Sequence, residues 1–252
     1  MKKNHKIVVS TLLAIACMML YACKADLDEF VKTAGEVAAS TGHGAQAPTS
    51  AETVSAIRQA LNKGVENAIG ILGRADGFNA NSLVRITMPN ELQKADQLLR
   101  RFGQGKYADQ FILSMNRAAE QAVPKAEEIF VGAIRQMSIR DTLDIIKGPD
   151  DAATRYFQRT SETKLVNSFR PVVEQVTNKT GVTREYKSLV GKAGTLGQYI
   201  SENARDIDGY ITTKATDALF LYIAKEEKKI RDNPVERTTE ILREVFGYYL
   251  DK

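Results

Sequence analysis

The stretch TSAETVSAIRQALNKGVENAIGILG, residues 49–73, decides the fold class. Val54, Ile57, Leu61, Val65, Ile69 and Leu72 recur at intervals of three and four, the spacing that gathers apolar side chains on one face of an α-helix. Gly73 stands where a C-terminal cap is expected. The same period governs most of the following chain, and no alternating strand pattern competes with it.

Outward from this helix, residues 74–88 are the least helical, with Asp76-Gly77-Phe78 as a turn and 83–88 extended before Pro89. A helix from Pro89 to Arg101 turns Leu92, Ala95, Leu98 and Leu99 inward, and Gly103 and Gly105 end it. The run from Tyr107 carries Phe111, Ile112, Met115 and Ala119 to Pro124, which kinks or restarts a helix continuing through Ile129, Phe130, Ala133, Ile134 and Met137. Ser138 and Asp141 form a capping-box-like start for a short helix ending at Gly148. Pro149-Asp150-Asp151 opens another, and residues 161–180 form a longer one, irregular at Pro171 and capped by Gly181. After a short helix at 183–190 and a glycine loop at 191–197 comes the most hydrophobic helix, 211–231, with Ala215, Leu219, Tyr222 and Ile223 as its stripe. Pro234 begins a last helix that buries Thr238, Ile241, Leu242, Val245 and Phe246. The expectation is an all-α, irregular multi-helix bundle forming a single compact domain over 50–252.

The N-terminus reads differently. Lys2, Lys3 and Lys6 precede an uncharged run over 7–20, about 14 residues against the roughly 20 that a spanning helix needs. This predicts a signal peptide over 1–22 and an exported protein. The run closes on Leu20-Tyr21-Ala22-Cys23, which resembles the bacterial lipobox, where the cysteine receives diacylglycerol; Tyr21 departs from the small residue that pattern prefers. Lipidation at Cys23 makes the membrane a partner through a lipid anchor, and Lys24 in place of aspartate directs the protein to the periplasmic face of the outer membrane. The alternative is ordinary cleavage beside Ala22 or Ala25, leaving a soluble periplasmic protein. Residues 23–49 then form a lipid-anchored segment: a short amphipathic helix carrying Leu27, Phe30, Val31 and Ala34, and the flexible linker STGHGAQAPTS at 40–50.

Composition removes several functions. The only cysteines, Cys17 and Cys23, lie in or beside the leader, and the only histidines are His5 in the leader and His43 in the linker. The helical domain therefore has no Ser-His-Asp or Cys-His arrangement and no His/Cys zinc site, and no cofactor or metal is expected. Three of the 35 basic side chains are leader lysines, so the remaining chain carries 32 against 31 acidic ones and shows no nucleic-acid signature. The charged run 225–231 reads as a solvated helix face.

Few residues invite chemistry. Gly103-Gln104-Gly105-Lys106 lacks the spacing and the following Ser or Thr of a phosphate loop and reads as a helix–helix turn. Asp206-Ile207-Asp208-Gly209 begins like a calcium loop but lacks its closing glutamate, so a helix N-cap explains it better. Asp150 and Asp151 take the same reading, with a carboxylate dyad as the functional alternative. Arg85, beside the extended segment, can meet an anionic ligand or an ion-pair partner. Asn116, Arg117 and Glu120 follow an apolar stripe, and Arg117–Glu120 has helical i,i+3 spacing for a surface or inter-helix salt bridge. The weak ligand-site candidates are thus Arg85, Asp150, Asp151, Asp206 and Asp208.

Six phrases in order, GVENAIGILGRADGF (64–78), VRITMP (84–89), LLRRFGQGK (98–106), SMNRAAEQAVPKA (114–126), GPDDAATRYF (148–157) and KATDALFLYIAKEEKKIRDNPVERTTEILREVFG (214–247), carry a resemblance. The chain resembles the bacterial family known as domain of unknown function 4197, across most of the folded part. Met88 stands where such proteins often have leucine. The resemblance implies one helical domain behind a signal or lipoprotein leader in Gram-negative envelopes, and no catalytic residue. The expected role is a non-catalytic interaction or ligand-binding module, whose partner is an envelope protein or a small molecule. The alternatives are a carboxylate-dependent envelope enzyme and a carrier of an apolar ligand inside the bundle.

Overall fold

Helix α1 (Ser50–Leu72) starts at a reciprocal cap. The Glu52 N–H donates to Thr49 Oγ1 at 3.2 Å, and the Thr49 N–H donates to the Glu52 carboxylate at 2.7 Å. It ends where the Gly73 N–H donates to the Ile69 carbonyl at 2.7 Å. The computed structural model describes residues 47–192 and 201–251. The leader, Cys23, the helix and linker expected before residue 47, and most of the 191–197 loop lie outside the described residues.

After α1 come α2 (Gln93–Arg101), α3 (Gly105–Ala122), α4 (Ala126–Gln136), α5 (Ile139–Lys147), α6 (Ala152–Lys179), α7 (Gly181–Lys192), α8 (Glu202–Arg205), α9 (Ile207–Asp232) and α10 (Glu240–Leu250). Short 3-10 turns occupy Asn90–Leu92, Val123–Lys125 and Pro234–Glu236. Among the described residues the fold is all-α with no strand. Pro124 restarts the helix through one of those turns, and Ser138 with Asp141 forms the expected capping box of α5. The helices foreseen before and after residue 161 are one, α6, which runs through Pro171. That proline removes one N–H, but packing along both flanks holds the helix.

α9 is the axis of the core, flanked by α6, α1 and α3. Phe130 of α4 meets Phe157 of α6 edge-on at 4.8 Å between centroids and Phe220 of α9 at 6.3 Å, tying three helices together. Three expectations about burial fail. Ala95 and Leu98 are exposed, and only Leu92 and Leu99 of that helix pack on the core, because α2 touches the bundle along a narrow strip. Thr238 is exposed. The run 225–231 is not a solvated face: Glu226, Glu227, Ile230 and Arg231 are buried, and only its lysines reach water.

The segment between α1 and α2 lacks a helical hydrogen-bond ladder, so its backbone needs other partners. Asp76 takes φ 64°, and a Cβ on Gly77 would collide with the Ile71 and Leu72 carbonyls. α3 supplies the missing groups. The N–H groups of Phe78 and Asn79 donate to Glu120 Oε1, each at 3.1 Å. Asn116 brackets Ile86, accepting its N–H and donating to its carbonyl, both at 2.8 Å. Phe78 and Ile86 are thereby locked in the core. Arg117 joins from the surface side, donating to Glu120 at 2.6 Å and to Asp76 at 2.8 Å. The Arg117–Glu120 pair thus forms, but as one half of a clasp.

Glu120→Ala leaves the buried Phe78 N–H and the half-buried Asn79 N–H without their acceptor and should lower unfolding stability by about 2–4 kcal/mol, read from the urea midpoint; Glu120→Gln, which keeps one acceptor oxygen, should lose less.

Candidate functional site

The segment that the clasp positions runs alongside the N-terminal half of α9. The Tyr210 hydroxyl donates to the Thr87 carbonyl at 3.1 Å, and Asn81 Nδ2 donates to the Tyr222 hydroxyl at 2.6 Å. Between these elements lies a groove of about 450 Å³ bearing Arg85, Asn90, Asn203, Tyr210, Lys214 and Asp217. A second concavity, of about 500 Å³, shares Asn203, Tyr210 and Lys214 with it and extends to Arg170, Asp206 and Thr212. Burial, reinforced by the Glu91 charge, raises the Tyr210 phenol above its ordinary value despite its bond to Thr87.

Three charges in the first groove have no hydrogen bond or ion pair among the described residues: Arg85, Lys214 and Asp217. Arg85 and Lys214 are both exposed, and Lys214 Nζ lies 5.8 Å from the centroid of the Tyr210 ring. The balance of the three is positive. At the second concavity the hydroxyl of Thr212 is buried and has no hydrogen-bond partner. Arg85 was a sequence candidate, whereas Lys214 was not.

The other candidates are committed to structure. Asp206 caps α9, accepting the Gly209 N–H at 3.0 Å, and receives both arms of Arg170 at 2.8 and 2.9 Å. Burial alone would raise its carboxyl, but these donors and the charges of Arg170 and Lys187 outweigh burial and hold it below the usual carboxylate range. Asp208 is buried; Thr177 Oγ1 donates to it at 2.7 Å, and Lys187 Nζ lies 2.5 Å away, so α6, α7 and α9 meet on it. The two aspartates therefore serve different clusters and form no calcium loop. Asp150 is exposed and Asp151 pairs with Arg155 one turn on, at 2.9 Å.

The carboxylate that does meet the start of α6 is one the sequence reading missed. Glu227 of α9 accepts the N–H groups of Ala153 and Thr154 and the Thr154 hydroxyl, all at 2.9 Å. Arg231 balances it at 3.1 Å and donates to the Ile145 carbonyl at 2.7 Å. Arg237, 1% exposed, donates to the carbonyls of Ile230 and Arg231 at the end of α9 and pairs with Asp251 at 2.5 Å. One signal was present: Glu227 and Arg231 continue the four-residue spacing of Leu219 and Ile223, which places charges at core positions.

Such carboxylates accept hydrogen bonds from backbone N–H groups and pair with cations, and so position helices. No three His, Cys, Asp or Glu side chains converge on a metal position among the described residues. The apolar-carrier alternative finds little room in the core among the described residues. The space among Ile57, Leu61, Phe157, Ile223 and Phe246 amounts to about 30 Å³, room for about one water, where an apolar cargo needs several hundred.

Fold and site together define an all-α bundle domain whose buried charges secure its own backbone and which bears three uncommitted charges in one surface groove. The chain belongs to the DUF4197 family: the family model, described as a protein of unknown function, matches residues 47–247. No curated protein and no solved structure matches the chain.

Removing Glu227 by an alanine substitution should cost about 3–5 kcal/mol, since Arg231 and the α6 terminus lose a buried partner. Asp150→Ala and Asp151→Ala should each stay within about 0.5 kcal/mol of the parent in the same denaturant titration.

Proposed function

We propose that this protein is a non-catalytic binding module of the bacterial cell envelope. The leader exports it, and acyl chains on Cys23 hold it at the periplasmic face of the outer membrane. The domain presents the groove between residues 83–90 and α9 to an anionic group, carried by an envelope protein or a small-molecule ligand.

One observation carries this reading. Arg85 and Lys214 stand uncommitted on facing walls of a polar groove, while the charged groups buried in the bundle are engaged with its backbone and with one another. An uncommitted guanidinium offers a planar fork of donors suited to carboxylate or phosphate. A carboxylate-dependent enzyme finds less support, since Asp206 and Asp208 are tied to separate cations and Asp150 and Asp151 stand outside the groove.

The anchor is tested by Cys23→Ala, which should abolish metabolic palmitate labelling and release the protein from membranes; persistent labelling contradicts it. The groove is tested by a photo-crosslinking residue at Leu221 in living cells, together with native mass spectrometry of protein purified from envelopes. A discrete adduct or a bound mass that disappears in Arg85→Glu/Lys214→Glu is expected. The double variant should fold normally, because both side chains are exposed and unbonded. Finding neither adduct nor bound mass in the parent refutes the groove.

A further inference from the structure

The hairpin of α2 and α3 stands apart from that groove in character. α2 buries no residue, and the turn after it exposes Phe102 by 74%, with Leu98 at 52% and Tyr107 at 44%. Gly103 turns the chain at φ 74°, and nothing lies within 4 Å of the place its Cβ would occupy, so the tip is uncrowded. Helical spacing puts Lys94, Leu98 and Arg101 on one side, with Phe102 one turn beyond Leu98.

Charge on this hairpin is sorted by side. Asp96 and Asp109 both bind Arg100, at 2.8 and 2.6 Å, and Asp96 and Arg100 project from the opposite side of α2 to Leu98. Glu91 acts on Tyr186 and Tyr210, at the end of the hairpin remote from Phe102. Lys94 and Arg101 have no hydrogen bond or ion pair among the described residues, and Lys106 leans over the Tyr107 ring at 5.1 Å from its centroid. The tip thus combines exposed Phe, Leu and Tyr with Arg101 and Lys106, and Lys94 lies about two turns back on the same side of α2; none of the three cations has an ion pair among the described residues.

We propose that this tip inserts into the headgroup layer of an anionic phospholipid bilayer, Phe102 and Leu98 entering the acyl boundary while Lys94, Arg101 and Lys106 meet lipid phosphates. A short amphipathic helix with basic residues beside leucine and aromatic side chains has the composition of an interfacial contact. Unpaired cations complement the negative surface of such a membrane. Three large apolar side chains fall well short of the roughly 800 Å² per partner that a stable dimer buries, so a second copy is the poorer occupant. The contact does not depend on acylation at Cys23.

The chain contains no tryptophan, so Phe102→Trp in the full-length protein makes a sole reporter at the tip. With vesicles of phosphatidylcholine and phosphatidylglycerol, its emission should shift to the blue and be quenched by brominated acyl chains. Neutralising Lys94, Arg101 and Lys106 to glutamine in that background should weaken the response about 100-fold in lipid concentration. A reporter at Val235, 83% exposed on a different element, should not respond. The local readout separates tip insertion from attachment through an anchor elsewhere. An emission spectrum of the Phe102→Trp protein that vesicles leave unchanged overturns the proposal, as do equal shifts on pure phosphatidylcholine, an equal response at position 235, or a lipid-free shift that grows with protein concentration and so reports self-association.

Discussion

The bundle depends on how its buried backbone termini are satisfied. The first N–H groups of α6 have no intrahelical acceptor, and they are packed against α9, out of reach of water. Glu227 reaches across from α9 to accept two of them, which fixes the register of the two long helices at the centre of the core. A buried carboxylate carries a desolvation cost of several kcal/mol, so it needs a cation, and Arg231, one turn on, provides it. Arg231 in turn takes the Ile145 carbonyl near the end of α5, and Arg237 takes the last carbonyls of α9. The start of α6 and the ends of α5 and α9 are thus satisfied by one connected set of charges, and hydrophobic packing can proceed around them.

The same logic at the other side of α9 creates the groove. A segment without helical hydrogen bonds can lie on a bundle only if side chains replace its ladder, and Asn116 and Glu120 do so. With Ile86 and Met88 buried by that attachment, extended backbone turns Arg85 and Thr87 to the opposite side. Arg85 is therefore displayed as a consequence of the clasp. Its exposure follows from the anchoring of its neighbours.

Much of this was legible in the sequence, and the misses share a cause. Periodicity told which residues share a helix face, and that sufficed for α1, α3, α5 and the core of α9. It could not tell whether a neighbour covers the face: Ala95 and Leu98 obey the helical period yet lie open, because α2 meets only α3 and the edge of the core. Read by charge alone, the run 225–231 looked solvated, although Glu227 and Arg231 fall in phase with the buried stripe. At the candidate site, Arg85 stood out through its extended neighbours. Lys214 did not, because the contact that brings it close joins Thr87 to Tyr210, 123 residues apart, and no local pattern encodes that.

The division of charges bears on what the fold can do. Acid–base chemistry needs a group with free lone pairs or protons in a site that excludes water, and the buried carboxylates here have theirs filled by N–H groups, hydroxyls and cations. The uncommitted charges of the groove, Arg85, Lys214 and Asp217, are exposed, and water screens each of them. Screened charges stabilise a transition state poorly, but they steer and orient a complementary surface well, since association profits from several modest contacts acting together.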